Sequence, residues 1–347
     1  MQPGVPEDWD PRIGEVPPTL RRRWITLAQA RIPGGVRTFS LTGRDGLGVA
    51  LVGGVMDEPT GHVRFDPFRV LSGRSAEDGV VPDGPHPWRD LATVEVFPCC
   101  LLMFPNYETA PVGPGARDPA MVESFVAELV AWCRTADIRG IALLFLRPDY
   151  PEFLAALRGN GFDLVAMVER CDMAITWSDF DGYLATLPRK RRFVVRRELR
   201  DIAARGVEIG ERPLGDDEPE LLNLRAQIVT KYGGTPDLDR EAESLRHLRE
   251  HFGAANVMVV EARQDGHLLC FSLVIRDGDQ WTVPMSGTDY TREAASFTYF
   301  ATMFYRPVEL APRLGIRSIA YGLGTVDAKR LRGCTVSTLF AAARRVD

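Results

Sequence analysis

The sequence predicts a mixed α/β protein with two domains, and three observations support this. The chain has 347 residues, which at roughly 100 to 200 residues per domain suggests two domains or one large one. Segments with helical spacing of apolar residues alternate with short apolar strands along the chain. An Asp-Gly turn before a long strand, followed later by Ile-Arg-x-Ile-Ala, occurs in both halves, at Asp45-Gly46 with Ile138–Ala142 and at Asp265-Gly266 with Ile316–Ala320. This recurrence suggests a duplicated α/β unit.

The first half begins with a tail, residues 1–18, and a helix at Thr19–Ala30 that Thr19 can cap. A hairpin signal follows, in which two apolar strands flank an Asp-Gly turn. Its parts are Val36–Leu41, Arg44-Asp45-Gly46 and Leu47–Val55. Residues 57–93 are rich in glycine, proline and aspartate, which predicts an insertion or long loop. Val94–Phe104 is predicted to resume the sheet.

Two strong local signals complete the first half. Asp118-Pro119 places a capping side chain before a proline at the first helical position, which predicts the start of a helix. Apolar residues then recur at helical spacing, at Val122, Phe125, Val126, Leu129 and Cys133. The continuous apolar run Gly140–Leu146 predicts a strand that is covered on both faces.

The second half, from Asp179, contains three predicted helices, a strand series around Asp265-Gly266, a proline-interrupted helix and a last strand. The helices are Arg189–Ala204, Glu218–Lys231 and Glu241–Phe252; the strands are Val257–Ala262, Leu268–Ile275, Trp281–Met285 and Ile316–Tyr321. Pro307 and Pro312 must kink or divide the helix at Ala294–Leu314, because proline lacks the N–H that a helix interior needs.

Composition places the chain among ordinary globular proteins, with 45% hydrophobic and 26% charged residues. The longest apolar runs are shorter than the about 18 to 20 residues that a bilayer-spanning helix needs. The first twenty residues lack the pattern of a signal peptide, so we expect a cytoplasmic protein. The net charge of −5 excludes nucleic-acid binding by overall charge, so any such binding must be local. Six cysteines without a CxxC pair are interpreted as buried hydrophobic residues.

Common catalytic signatures are absent from the sequence. There is no P-loop, GxSxG elbow, HExxH, paired-cysteine zinc site or GxGxxG after a strand. His247 and His251 have a metal-like spacing of four residues, but no third ligand is evident. We therefore predict no metal site and no tightly bound cofactor.

The strongest local feature is the segment Arg189–Arg200, with seven positive charges and one negative in twelve residues. Val195, Leu199 and Ile202 form an apolar stripe, so the helix is expected to dock by one face and expose arginines on the others. One interpretation is that these arginines bind phosphates of an anionic partner. The alternative is a solvated surface whose charges pair with Glu198, Asp201 or nearby acids.

A second feature follows the last strand of the second half. Gly322 and Gly324 allow the backbone to adopt conformations that other residues avoid, and they lie at a strand end, where α/β proteins bind ligands. Lys329 and Arg332 are expected to face that end. Only three of the 42 basic residues are lysines, and a retained lysine is a candidate for a role that needs a compact ammonium group.

The second half, and more loosely the first, resembles the FemAB/FemX-like, cellulose-biosynthesis-type branch of the GNAT acyltransferase superfamily. The matching residues cover about 160 positions in order. They are Tyr183-Leu184-Ala185, Pro188–Arg192, Arg196-Arg197-Glu198, Lys231-Tyr232-Gly233, Gly287-Thr288-Asp289, Tyr299-Phe300, Tyr305, Val308–Ala311, Gly315, Gly322-Leu323-Gly324, Lys329 and Arg332-Gly333.

The resemblance implies two tandem GNAT-like domains, each with a mixed, largely antiparallel sheet flanked by helices. We expect them at residues 19–178, with the insertion near 57–93, and at residues 179–347, with the active cleft mainly in the second. The resemblance also implies that the protein transfers an acyl group to an amine, either from an aminoacyl-tRNA or from acyl-CoA. Typical CoA-binding members carry [Q/R]xxGx[G/A] between a strand and a helix, and this motif is not found here. That favours aminoacyl-tRNA over acetyl-CoA or another acyl-CoA as donor.

Residue roles follow from the resemblance as expectations. Lys329, Asp289, Glu309 and Tyr305 are the catalytic candidates, with Lys329 stabilising negative charge and Asp289 or Glu309 accepting the amine proton. Donor binding is expected from Arg332, Gly322, Gly324, Arg191, Arg192 and Arg196, and acceptor binding from Lys231, Tyr232 and Tyr299. The acceptor is a small molecule or a cell-wall precursor. A non-catalytic GNAT-like module that binds RNA or another anion is the alternative from a different class, and the oligomeric state stays open.

Overall fold

Helices and strands alternate along the chain in the computed structural model, which describes residues 1–43, 46–77, 81 and 84–347. The described residues divide into two units. One consists of Met1–Glu169 with Ser337–Asp347, and the other of Arg170–Val336. The sequence-based boundary at Asp179 lies after this division, and the last eleven residues return to the first unit instead of staying with the second half. They do so because Ala342–Arg345 are hydrogen-bonded to Gly140–Leu143.

The elements of the first unit alternate between short helices and strands of one sheet. They are β1 (Gln2–Pro3), α1 (Trp9–Ile13), α2 (Arg22–Leu27), β2 (Arg37–Gly43), β3 (Gly46–Met56), α3 (Pro67–Leu71), α4 (Arg74–Glu77), α5 (Thr93–Val96), β4 (Cys99–Leu102), α6 (Pro119–Thr135), β5 (Gly140–Leu146) and α7 (Pro151–Gly159). Strand β6 (Asp163–Ala174) carries the chain into the second unit.

The second unit has the longer helices. Its elements are α8 (Phe180–Thr186), α9 (Arg189–Ala204), β7 (Glu208–Pro213), α10 (Pro219–Lys231), α11 (Leu238–Phe252), β8 (Val257–Gln264), β9 (His267–Asp277), β10 (Gln280–Thr288), α12 (Thr298–Phe300), a π-helix (Ala301–Tyr305), α13 (Arg306–Arg313), β11 (Ser318–Leu323) and α14 (Val326–Arg330). Strand β12 (Thr335–Arg345) returns to the first unit.

Each unit combines antiparallel pairing with one parallel pair among its described strands. In the first, β1–β2, β2–β3, β3–β4 and β5–β12 are antiparallel and β4–β5 is parallel. In the second, β7–β8, β8–β9, β9–β10 and β11–β6 are antiparallel and β10–β11 is parallel. The predicted mixed, largely antiparallel sheets flanked by helices are confirmed. The shared order of a hairpin followed by a parallel pair also agrees with a duplicated unit.

The strongest sequence signals form the predicted elements. Asp118 accepts hydrogen bonds from the N–H groups of Ala120 and Met121 and so caps α6. All seven residues of β5 are buried, as its continuous apolar sequence predicts. Asp265 and Gly266 have φ angles of 49° and 79°, the left-handed pair that a two-residue hairpin turn requires. Of the corresponding first-half turn, Arg44 and Asp45 lie outside the described residues.

Three predicted elements differ from the structure. The helix expected at Thr19–Ala30 is α-helical only at Arg22–Leu27, and Thr19 lies in a preceding 3-10 turn and does not cap it. The strand expected at Val94–Phe104 is replaced in part by α5, and the sheet resumes only at Cys99, because Pro98 has no N–H to donate to it. The long helix expected at Ala294–Leu314 is interrupted as the prolines predict. Its central turns are π-helical just before Pro307, which cannot donate the hydrogen bond that an α-helix needs there.

Among the described residues, no helix combines the length and apolar character needed to cross a membrane. All six cysteines are buried and free of disulfides, which confirms their interpretation as small buried residues. In the insertion, the described part contains the short helices α3 and α4.

Candidate active site

The parallel strands of the second unit separate towards their C-terminal ends. Described residues of β10 and β11 pair from Gln280–Ser318 to Thr282–Ala320, and a bulge in β10 follows. Beyond it, β10 remains paired with β9 as far as Thr288. The end of a strand beside such an opening is where open α/β sheets commonly bind ligands.

The backbone at the end of β11 is unusual. Gly322 and Gly324 have φ angles of 64° and 75°, which glycine adopts readily. Thr325 follows at φ 45°, although a β-branched residue is strained in this region. Its side chain is hydrogen-bonded to Tyr299, whose pKa is raised by burial and partly lowered by that bond. Strain of this kind is concentrated at functional sites.

Lys329 is 3% exposed and lies beneath this strand end. Its ammonium group donates to the carbonyl oxygens of Tyr321 at 2.7 Å, Leu323 at 2.8 Å and Gly322 at 3.4 Å. Burial lowers its pKa. The carbonyl groups therefore occupy the three hydrogens of the ammonium group and hold the turn in place, while the positive charge stays at the end of β11.

Arg332 lies one turn further on, also 3% exposed, and is bonded to residues of three helical segments. Its Nη2 atom lies 3.3 Å from Oε2 of Glu198 in α9, and its Nη1 atom donates to the carbonyl of Ala328 at 3.0 Å. Its Nε atom donates to the hydroxyl of Tyr305 at 3.2 Å. The guanidinium carbon lies 3.2 Å from the centroid of the Phe300 ring, a cation–π contact.

Tyr305 and Tyr183 complete this buried polar cluster. Tyr305 donates its hydroxyl proton to Oε2 of Glu198, and Tyr183 donates to the carbonyl of Arg332 at 3.0 Å. Burial strongly raises the pKa of both phenols, and the carboxylate of Glu198 raises them further. Both therefore remain protonated donors at neutral pH, so Tyr305 is not a base.

A buried hydroxyl without a partner lies on the same strand. Tyr321 is 4% exposed and its ring is 4.7 Å from that of Phe304, but its hydroxyl has no hydrogen-bond partner within the described part of the chain. Leaving such a group unsatisfied costs about 1–3 kcal/mol. A ligand or water molecule at the strand end could satisfy it.

The two carboxylates predicted as proton acceptors have different surroundings. Asp289, at the end of β10, accepts from the N–H and hydroxyl of Thr291 at 2.9 and 2.6 Å, and lies 3.4 Å from Arg292. It borders a small cavity of about 170 Å³ between α10 and the strand ends, also lined by Asn223 and Gln227. A larger cavity, about 420 Å³, lies in the first unit beside α3 and α4 and contains none of the predicted site residues.

Glu309 lies on α13 and is held by ion pairs with Arg306 at 2.8 Å and Arg313 at 3.5 Å, on the same helix. Neither arginine is one of the predicted site residues. Of the predicted acceptor-binding residues, Tyr232 is 71% exposed, and Nζ of Lys231 lies 3.7 Å from the centroid of the half-exposed Tyr290 ring. These residues form an aromatic, cationic rim at the end of α10.

The basic helix α9 carries few internal ion pairs. Glu198 faces inward to Arg332 and therefore does not neutralise the exposed arginines. Arg196 pairs weakly with Asp181 at 3.5 Å, and both side chains are mostly exposed. The cations of α9 that form no ion pair with a described residue are Arg189, Lys190, Arg191, Arg192, Arg197 and Arg200. Pairing within the helix thus does not account for the charge run.

Several residues of the site were given no role there by the sequence analysis. Glu198 is the one acid in the basic run, which was a usable signal, because a carboxylate among arginines can be buried only if it has a partner. Phe193 is 62% exposed although it is aromatic, and its position off the apolar stripe of α9 was the signal. Phe300 and Thr325 carried no comparable signal, because their roles depend on contacts far along the chain.

The rings of His247 and His251 are 6.1 Å apart. Among the residues that the structure describes, no group of three histidine, cysteine, aspartate or glutamate side chains could hold a metal ion.

Comparisons with known proteins agree with this architecture. The FemAB-like family model, described as peptidoglycan biosynthesis/recognition, matches residues 111–346. No curated protein has a significant match.

Among solved structures, FemX is similar at a TM-score of 0.59 and 11% identity, covering 95% of this chain and 92% of that chain. A protein of unknown function from Bacteroides thetaiotaomicron VPI-5482 has a TM-score of 0.50 and 16% identity, covering 72% and 79%. A tandem GNAT protein from the clavulanic acid biosynthesis pathway has a TM-score of 0.47 and 11% identity, covering 94% of each chain. At these identities, the likeness to FemX shows the fold, and it agrees with the predicted fold class.

Proposed function

The chain belongs to the FemAB-like family, and from this premise we propose that it is an aminoacyltransferase that forms an amide on the amine of a small molecule or cell-wall precursor. The proposed donor is an aminoacyl-tRNA. Family membership and the likeness to FemX support the coarser assignment to the acyl- and aminoacyltransferases. The donor and the acceptor are proposed from the features of the second unit.

The observation that carries the choice of donor is the unpaired charge of α9. Six cations without a described acidic partner lie in one helix of a protein with a net charge of −5. Four of them are in the first turn, where the helix dipole is also positive and no acidic residue is present. A polyanion such as tRNA would relieve this repulsion and release counterions on binding.

A second observation disfavours acyl-CoA. The connection between β10 and α12, residues 289–297, reads Asp-Tyr-Thr-Arg-Glu-Ala-Ala-Ser-Phe and contains no glycine. A pyrophosphate cradle made of backbone N–H groups needs close approach of the backbone, which glycine allows. Transfer from acyl-CoA therefore remains the alternative that the donor experiment must test.

The chemistry follows from the surroundings of each group. The neutral amine of the acceptor attacks the ester carbonyl of the donor, and the amine loses a proton to a base. The bond to the ribose oxygen then breaks, and this oxygen takes up a proton to leave as the hydroxyl of the tRNA. Lys329 keeps the end of β11 ordered, and its charge favours the negative charge of the tetrahedral intermediate. The charge of Arg332 is balanced by Glu198, so Arg332 contributes by holding this segment in place. Asp289 is the better base candidate, because it borders a cavity, whereas Glu309 is held by two arginines.

The test of donor is thermal stability with coenzyme A, acetyl-CoA, charged tRNA and uncharged tRNA, each at two salt concentrations. A ligand at a hundred times its dissociation constant stabilises by roughly 2.7 kcal/mol, which is measurable. A larger shift with charged than with uncharged tRNA supports the proposal. A shift with coenzyme A alone overturns the donor assignment, and equal tRNA shifts that vanish with salt, without transfer, indicate the non-catalytic binder.

The test of roles compares matched variants in a transfer assay. Asp289→Asn should lower the rate of transfer by about 100-fold or more, the usual effect of losing a general base. Glu309→Gln should leave the rate nearly unchanged. Full transfer activity of a folded Lys329→Ala variant would contradict the role given to Lys329.

A further inference from the structure

Phe193 is exposed on the face of α9 that points away from the protein. Its side chain is 62% exposed, whereas Val195 and Ile202 on the same helix are buried. Each residue advances about 100° around a helix, so Phe193 lies roughly 200° from Val195, on the opposite side. Burial in the core therefore does not explain this aromatic ring.

Four cations surround the ring. Residues three and four positions away are neighbours on a helix surface, and for Phe193 these are Arg189, Lys190, Arg196 and Arg197. All four are exposed, and of them only Arg196 has an acidic partner among the described residues, the exposed Asp181. The result is a flat apolar ring framed by guanidinium and ammonium groups.

We propose that Phe193 stacks on an unpaired base of an RNA whose flanking phosphates are bound by the four neighbouring cations. Aromatic rings interleaved with cations bind single strands, because every base has a π-face and every nucleotide carries a phosphate. Paired bases in a duplex are already stacked and offer no face to the ring. The surface is therefore expected to favour a single strand over a duplex, and the acceptor end of a tRNA is a single strand of this kind.

A membrane surface would need more apolar area. Helices that lie in the interface of a bilayer bury a broad apolar face and keep cations on the other side. In α9 the broad apolar face packs inside the protein, and Phe193 is the one large hydrophobic residue of this helix that is strongly exposed. A single ring among four cations fits one base better than a lipid layer.

This inference rests on the proposed RNA donor, but it concerns binding and can be measured without transfer chemistry. The probes are a fluorescent RNA hairpin with a single-stranded 3′ extension and the same hairpin with a blunt end. Both are closed by a non-nucleotide linker, so that neither has unpaired loop bases. Phe193→Ala should weaken binding of the extended hairpin on the order of tenfold or more and leave the blunt hairpin unaffected. The variant Phe193→Trp, which is aromatic, should bind the extended hairpin as the wild type does. The variant Phe193→Leu, which is apolar but not aromatic, should bind it as weakly as Phe193→Ala.

The control for charge is the double variant with Arg189→Gln and Arg197→Gln in the same protein. This variant should weaken binding of both hairpins and reduce the salt dependence by about one unit of slope per lost phosphate contact. Phe193→Ala should leave the slope unchanged. Equal losses on both hairpins with Phe193→Ala, or no loss at all, overturn the inference, as does wild-type binding to phosphatidylglycerol-containing vesicles but to neither hairpin. Ring-dependent binding of the extended hairpin without any transfer activity would overturn the proposed function and leave this inference standing.

Discussion

Glu198 and Arg332 form an ion pair in which both side chains are at least nine-tenths buried, with 3.3 Å between Oε2 and Nη2. The pair joins the basic helix α9 to the segment that follows α14. Because the hydroxyl of Tyr305 also bonds both partners, the carboxylate and the guanidinium are satisfied without water. The surface proposed to bind RNA and the end of β11 are thus built on the same buried cluster.

Removing one partner of this pair should be costly. Glu198→Ala is expected to lower the free energy of unfolding by about 3–5 kcal/mol, because it leaves the Arg332 charge buried and unpaired. Chemical denaturation measures the change. Asp181→Ala, which removes the exposed partner of Arg196, is the control and should change stability little. Similar losses in both variants would mean that burial of the Glu198–Arg332 pair does not explain the loss of stability.

Because of Lys329, the free energy of unfolding should depend on pH in the alkaline range. Burial lowers its pKa in the folded protein, so between that pKa and the ordinary lysine value the unfolded chain binds more protons. The free energy of unfolding of the wild type should therefore rise with pH in this window relative to Lys329→Met, which has no charge to lose. Denaturation of both proteins at neutral and alkaline pH measures the difference. A difference that is independent of pH would show that the pKa of Lys329 is not lowered.

Gly322 is required by its backbone conformation and not by space. Its φ angle is 64°, and a Cβ atom there would meet no other atom within 4 Å. Gly322→Ala should thus destabilise by about 1–2 kcal/mol through backbone strain alone. Gly210→Ala is the matched control, since that glycine also has open space but no positive φ, and it should be neutral or slightly stabilising. Equal effects in thermal denaturation would contradict the strain argument.

The sequence predicted what depends on local pattern. The strand Gly140–Leu146 and the cap at Asp118 follow from neighbouring residues, and both are confirmed. The return of β12 to the first unit was not predicted, because strand pairing between distant segments leaves no local signal. For the same reason, the alternative interpretation of the basic segment paired its arginines with Glu198, Asp201 or nearby acids, whereas the partner of Glu198, Arg332, is 134 residues away.

The contacts of Lys329 could not be predicted from the sequence either. Its position after two glycines indicated a place at a strand end, and the structure puts it there. That its ammonium group donates to three main-chain carbonyls depends on how the turn folds back over the buried side chain, and the spacing of the residues does not indicate this. The catalytic role predicted for it stays a prediction that the transfer assay tests.

The first turn of α9 should show a conflict between stability and binding. Lys190 is exposed beside the positive end of the helix dipole, so Lys190→Glu is expected to stabilise the protein by about 0.3–1 kcal/mol. The same change places a carboxylate among the cations that are proposed to bind phosphates, and it should weaken RNA binding. Arg197→Glu alters the charge equally but lies in the middle of the helix, beyond the reach of the dipole. It should weaken RNA binding to a similar degree without stabilising the fold.

Denaturation and hairpin binding of these two variants separate a functional charge from a structural one. A cation kept at a position where it costs stability needs a benefit elsewhere, and binding of a polyanion supplies it. If Lys190→Glu stabilises the protein and leaves RNA affinity intact, the first turn of α9 does not belong to the binding surface. The surface would then have to be confined to Arg196, Arg197 and the residues beyond them.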